Sequence, residues 1–277
     1  MKVKEIALDS WDEFPPAASK LAEERTAAAK KGTYHSELLF RGQADSSWPL
    51  ATTLERWTGK TLRASRYHLG LGAVKDEAES RIDKSWDIPD YPDFLQMLEK
   101  GSEGETKFYR LLAESQLYEF MVYLRHHGFP SPLLDWTMSP FIAAYFAFAN
   151  AKPYVDISIY AYQEYAGHGK GGYAAAPRIE QLGRHVRTHV RHFQQQALYT
   201  IAIKDTGLGM TFCTYEEALS KSSGEAQDLL WKYTIPGGER RRALSYLQHH
   251  NLTAYSLFGS EESLMESLAI REFTLGS

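Results

Sequence analysis

Apolar and polar positions recur along the chain in two rhythms, one helical and one alternating, and these divide it into elements. In Glu105–His127 the residues Phe108, Leu111, Leu112, Leu117, Phe120, Met121 and Leu124 fall largely on one helical face, so a single helix is predicted there. Gly128 ends it, and Pro130 and Pro132 prevent its continuation. Ser139-Pro140 then opens an almost wholly apolar helix to Asn150, with Ser as cap and Pro in the first turn. An Ala-, Glu- and Lys-rich helix is predicted over Ser10–Lys31, and others over Gly238–His250 and Ser260–Ile270. Short apolar or β-branched runs predict strands at Glu37–Arg41, Leu133–Trp136, Val155–Tyr162, Leu198–Lys204, Leu230–Ile235 and Thr253–Phe258. Asp45–Pro49 reads as a turn and Gly167–Gly172 as a loop that lacks the Lys-Ser/Thr ending of a phosphate cradle. Strands and helices mix without a regular βαβ rhythm, which predicts an α+β fold.

Composition narrows the picture. The chain has 277 residues, and its longest apolar run, Phe141–Ala149, is half of the ~18 residues a membrane span needs. The first residues, Met1–Glu5, carry no apolar leader, so a cytoplasmic protein without a membrane partner is expected. The lone Cys213 makes neither an internal disulfide nor a Cys-based zinc site, and the His185/His189 pair lacks the glutamate of a zinc-protease motif, so no metal is expected. A net charge of −4 gives no global push toward nucleic acid. It hides a segregation, however. Residues 76–105 hold ten acids and three bases, whereas Arg178–His192 holds four Arg, three His and one Glu.

Three segments place polar groups where an element ends. In Phe40-Arg41-Gly42-Gln43, an arginine after an apolar strand suits bidentate phosphate or carboxylate binding, with a glycine that lets a ligand approach; a structural ion pair explains it equally simply. Asp135-Trp136-Thr137 lies before a helix N-terminus, where anions bind, and Trp136 either stacks a planar ring or fills the core. Glu261 and Glu262 lie at a predicted helix start, where carboxylates are favoured whether or not they act on a ligand.

These residues resemble the FRG-domain family, named for a Phe-Arg-Gly motif. Three blocks carry the likeness: Leu39–Gln43 with Trp48, Arg125–Thr137 leading into Ala143–Phe146, and Phe193–Leu198 with Phe258–Leu268. Pro132 stands where the family commonly has Arg. FRG domains in turn look similar to ADP-ribosyltransferases of the Arg–Ser–Glu type. The resemblance implies one domain over residues 1–277, with a split mixed or antiparallel sheet, an N-terminal helix and an acidic helical insertion at about 60–127. It implies NAD as co-substrate, held by Arg41, Gly42, Gln43, His126, Asp135, Trp136, Thr137 and Ser139. Arg41 would grip the pyrophosphate, Thr137 brace the ribose, and Glu262 or Glu261 act as the late catalytic glutamate. The replacement of Ser-Thr-Ser by Asp135-Trp136-Thr137 is a departure from that pattern.

The implied acceptor is nucleic acid, with single-stranded RNA favoured over protein. Arg184, Arg187, Arg191, His192 and Gln195 are its candidate contacts, a basic solvated face being the alternative. The resemblance also implies a toxin or phage-defence setting with a neutralising antitoxin. A non-catalytic binding module is the rival expectation.

Overall fold

The apolar runs become an eight-stranded sheet. Its strands are β1 (Lys4–Ala7), β2 (Leu39–Gln43), β3 (Leu133–Thr137), β4 (Ile157–Gln163), β5 (Arg178–Leu182), β6 (Ala197–Asp205), β7 (Met210–Phe212) and β8 (Leu229–Ile235). The order is β1-β8-β4-β2-β3-β6-β5, with β7 also on β6. Among these pairings β1–β8 is parallel and the others antiparallel, so the α+β expectation holds. The computed structural model describes residues 3–103, 107–167, 176–183, 186, 188–207, 209–220 and 228–276. Arg184, His185, Arg187 and the Gly167–Gly172 loop beyond Gly167 lie outside them.

The sheet parts in its middle. β2 and β3 share a single register pair, Phe40 with Thr137, whereas β2 pairs with β4 from Leu39 to Gln43 and β3 with β6 along its whole length. Two half-sheets of four strands result. The pleat sorts their side chains to two faces. On one face the halves carry separate hydrophobic clusters. Phe40, Ile157, Ile159 and Ile235 belong to the first, and Leu133, Tyr199, Ile201 and Ile203 to the second. On the opposite face one cluster, with Leu39 and Tyr162 from the first half and Leu134 and Trp136 from the second, ties the halves together.

Helices complete each cluster. The first half is covered by α1 (Phe14–Ala29), α7 (Pro140–Ala149), α10 (Arg240–His249) and α11 (Ala254–Phe258). The second is covered by α2 (Thr53–Thr58), α3 (Ala64–Arg81), α4 (Tyr91–Glu103), α5 (Phe108–Ala113) and α6 (Gln116–His126). Three short or peripheral helices remain: α8 (Arg191–Gln194), α9 (Tyr215–Ser220) and α12 (Glu261–Ile270). α7 is apolar all round because it is buried all round: Ala143, Ala144, Ala147 and Phe148 are inaccessible to solvent. No described helix is long and apolar enough to cross a membrane.

Two expectations are corrected. The single helix predicted over Glu105–His127 is two, α5 and α6, broken at Glu114–Ser115, where the Ser115 hydroxyl bonds the Leu112 carbonyl. The strand predicted over Thr253–Phe258 is the helix α11. Its apolar residues outweighed its end signals in the prediction, yet Thr253 and Ser256 form a capping box and Gly259 closes it at φ 66°.

Candidate active site

Where β2 and β3 part, a cavity of about 310 Å³ opens between the two hydrophobic clusters. Phe40, Arg41 and Gly42 line it from β2, and Asp135 and Thr137 from β3. Arg125 and His126 enter from the end of α6, Arg191 from α8, and Phe146 and Phe258 form an aromatic wall.

Asp135 is the centre of its charge pattern. Arg125 forks onto the carboxylate, with Nε donating to Oδ1 at 3.1 Å and Nη2 to Oδ2 at 2.5 Å. Arg41 spans the split: its Nη1 donates to the Asp135 carbonyl oxygen at 2.7 Å and lies 3.9 Å from the carboxylate. Burial lowers the Arg41 pKa; Asp135 opposes that shift while Arg125 and Arg56 reinforce it. A guanidinium nevertheless stays charged in a protein. The Nε atoms of Arg41 and Arg191 are buried without a hydrogen-bond partner. Among the described residues three guanidinium groups therefore meet one carboxylate, and the cavity carries a positive surplus.

His126 adds no charge to it. Burial pushes its pKa down to about 4, with Asp135 opposing the shift, so the ring is neutral at pH 7. Its Nε2 lies 2.8 Å from the Tyr199 hydroxyl, which is itself 3.4 Å from His192 Nδ1. His192 stacks on the Tyr199 ring at 5.8 Å. This buried chain fixes the orientation of His126 at the cavity wall.

The strand edges in the split supply backbone groups as well. The Asp135 carbonyl points toward β2, and the alternation of an antiparallel ladder turns its N–H the same way. Gly42, two residues beyond the paired Phe40, turns its own N–H and C=O toward β3. Its glycine identity has a steric origin. A Cβ there would sit 1.9 Å from the Ala143 carbonyl oxygen and 2.7 Å from the Ala147 nitrogen. The partner that approaches this glycine is therefore α7, where the sequence suggested a ligand. Thr137 Oγ1 accepts from Ser139 N–H, and Ser139 Oγ caps α7 by accepting from Ile142 N–H.

The structure thus gathers Arg41, Gly42, His126, Asp135, Thr137, Arg191 and Gln195 around one cavity. Other expectations are corrected. Trp136 also lines the cavity, but its ring is buried on the opposite face, against Tyr162 with centroids 5.4 Å apart and with Nε1 donating to Thr200, so it presents no open face for stacking. Gln43 is buried away from the cavity and donates to the Pro49 carbonyl. Ser139 is a helix cap outside the cavity wall. His192 is buried on Tyr199, out of reach of a nucleic acid; Gln195, although it lines the cavity, also donates to the Leu257 carbonyl and so docks α11 on α8. Glu261 and Glu262 are exposed in the first turn of α12, outside the wall. The Ser260 side chain and the residue's own backbone N–H, with help from Arg191, hold the Glu262 pKa below the usual carboxylate value.

Arg125 and Tyr199 had been given no site role from sequence. Arg125 sits in the last turn of α6, ten residues before Asp135, and its pairing across the intervening turn shows only in the fold. Tyr199 offered no signal either. Among the described residues no cluster of three or more metal-ligating side chains forms.

An α+β protein whose sheet splits around an arginine-lined cavity is the class that these features define. The FRG domain family model matches residues 36–155, a little under half of the chain. The match takes in β2, α2 to α7, Arg41, Arg125 and Asp135; Arg191, Tyr199, Phe258 and the α12 glutamates lie beyond it. No curated protein and no solved structure matches the chain.

Proposed function

We propose that the chain binds NAD in the split and transfers its ADP-ribose to an acceptor. The observation that carries this reading is the charge of the cavity: Arg41, Arg125 and Arg191 line it against Asp135 alone. Such a surplus suits a pyrophosphate, whose two negative charges a pair of free guanidinium edges can fork. Phe146 and Phe258, with ring centroids 6.0 Å apart, offer an apolar wall for the nicotinamide ring.

The residues then divide the work. Arg41 and Arg191 position the pyrophosphate, and Thr137, whose hydroxyl proton remains free to donate, braces the ribose. Breaking the bond between ribose C1′ and the nicotinamide nitrogen sends the electron pair to nicotinamide and leaves positive charge on the sugar. A carboxylate facing that charge stabilises it and takes the proton the acceptor loses as its oxygen or nitrogen bonds C1′. Glu262, which lies outside the wall but feels the charge of the wall residue Arg191, is assigned this role, with Glu261 and Asp135 as the alternatives that substitution tests.

A second reading, a binding module without chemistry, draws on one observation. The carboxylate in the wall is already forked by Arg125, and both α12 glutamates lie outside it. Incubation with NAD labelled in the adenylate, together with RNA, DNA and protein, separates the two. Label on an acceptor, lost in Arg41→Ala and in Glu262→Gln while Glu262→Gln still binds NAD, supports the transferase. NAD bound but intact with no labelled acceptor supports the module.

A further inference from the structure

On the other side of the α6 terminus from the cavity lies an open groove of about 810 Å³, within the ~300–1,000 Å³ of typical ligand sites. Leu124, His127 and Gly128 line it, and the intervening Arg125 and His126 line the cavity. Its floor is apolar, with Leu54, Leu62, Tyr67 and Phe129. At its rim Trp57 is 78% exposed, an unusual place for a large ring with no contact to fill. Lys60 and Arg66 join it there, and no carboxylate is among the described residues lining the groove.

Charge sharpens the picture. Residues 51–75 carry five Lys or Arg and a single acid, Glu55. Glu55 is spent on the helix cap, accepting from Thr52 N–H at 2.7 Å. Arg56, Lys60, Arg63 and Arg66 are exposed and make no ion pair among the described residues. The positive field continues toward the cavity. The His127 pKa is lowered by burial and then by the charges of Arg191, His189 and Lys84.

We propose that this groove binds single-stranded nucleic acid, stacking an unpaired base on Trp57 while Lys60 and Arg66 hold the flanking phosphates. An exposed ring serves any base because every base has a π-face, and cations beside it follow the backbone. The α6 terminus then separates the bound strand from the cavity by the width of two residues, so the groove places an acceptor next to Arg125 and His126. That last step rests on the transferase reading; the binding itself does not.

Fluorescence anisotropy of short labelled oligo-U, oligo-dT and a duplex with the full chain tests it. Single strands bind better than the duplex. Trp57→Ala weakens them about tenfold, Trp57→Phe restores most of the loss, and Arg66→Glu weakens binding and flattens its salt dependence. The melting temperature and NAD affinity stay at parental values in all three variants. Arg41→Ala has the reverse profile, losing NAD and keeping the oligonucleotide. Oligonucleotide affinity unchanged in Trp57→Ala, or no single-strand binding by the parent at low salt, overturns the proposal. So does a Trp57→Ala chain that binds oligonucleotides normally yet no longer modifies a protein acceptor, which assigns the groove to protein instead.

Discussion

The two halves of the sheet are covered in opposite ways. On the first, α7 lies so close to β2 that backbone meets backbone at Gly42, with no room for even one carbon. On the second, the cover passes through side chains, and in α3 a Cβ added at Gly70 or Gly72 would meet nothing within 4 Å. The difference locates where the fold tolerates no change. It lies beside the cavity, in the Phe-Arg-Gly segment, because the closeness of α7 to β2 sets the position of Arg41. In the other half close backbone approach is confined to the cover itself, where a Cβ at Gly101 of α4 would meet Phe108 of α5 at 2.5 Å, and α3 keeps open space at Gly70 and Gly72.

That contrast is open to attack. Gly42→Ala is expected to lower unfolding stability by about 3 kcal/mol or more, since the obstacle is backbone that cannot rotate away. Chemical denaturation checks it, and a drop below 1 kcal/mol would mean that α7 can slide off the strand. The buried His126 comes next. Its folded pKa of about 4 lies below the unfolded value near 6.5, so the unfolded chain takes up a proton that the folded chain refuses. Stability contributed by the neutral ring is complete above pH 6.5 and is lost as the pH falls toward 4, by up to about 3 kcal/mol. His126→Gln should flatten the stability profile across that window in urea titrations. Arg125→Met leaves Asp135 without its fork and is expected to cost about 2 kcal/mol, and Asp135→Asn in the same chain should recover part of it in a double-mutant cycle. At the small end, Gly72→Ala should stabilise by about 0.5–1 kcal/mol in the same assay, because a helical glycine gives way to the best helix former with space around it. Destabilisation there would show that the second half is as tightly built as the first.

Much of this architecture could be read before any coordinates. The strands at Leu133, Ile157, Ala197 and Leu229 announced themselves by apolar runs, and α7 by its Ser-Pro start. Arg41 and Asp135 stood out as charges at strand ends. What could not be read depended on which face a residue takes and what comes near it in space. Trp136 sits between Asp135 and Thr137, and the pleat sends it to the far side of the sheet. Gln43 and His192 carry polar groups that turn into the interior, where Gln43 Nε2 donates to the Pro49 carbonyl and His192 Nδ1 meets the Tyr199 hydroxyl. Thr253–Phe258 is apolar enough for a strand, and two hydroxyl caps and a left-handed glycine make it a helix. Arg125 went unassigned because its partner lies across a turn, beyond any local pattern.

A sheet that parts in the middle has four margins instead of two. The outer margins of any sheet are a hazard, since another chain can add a strand to their unpaired groups. The inner margins of β2 and β3 are instead walled in by α7 and α6 and bridged by one guanidinium, which takes up the Asp135 carbonyl. A space of about 310 Å³ admits a small molecule and shuts out a polypeptide. The protein thereby opens its sheet in the middle without offering a further strand edge to its neighbours.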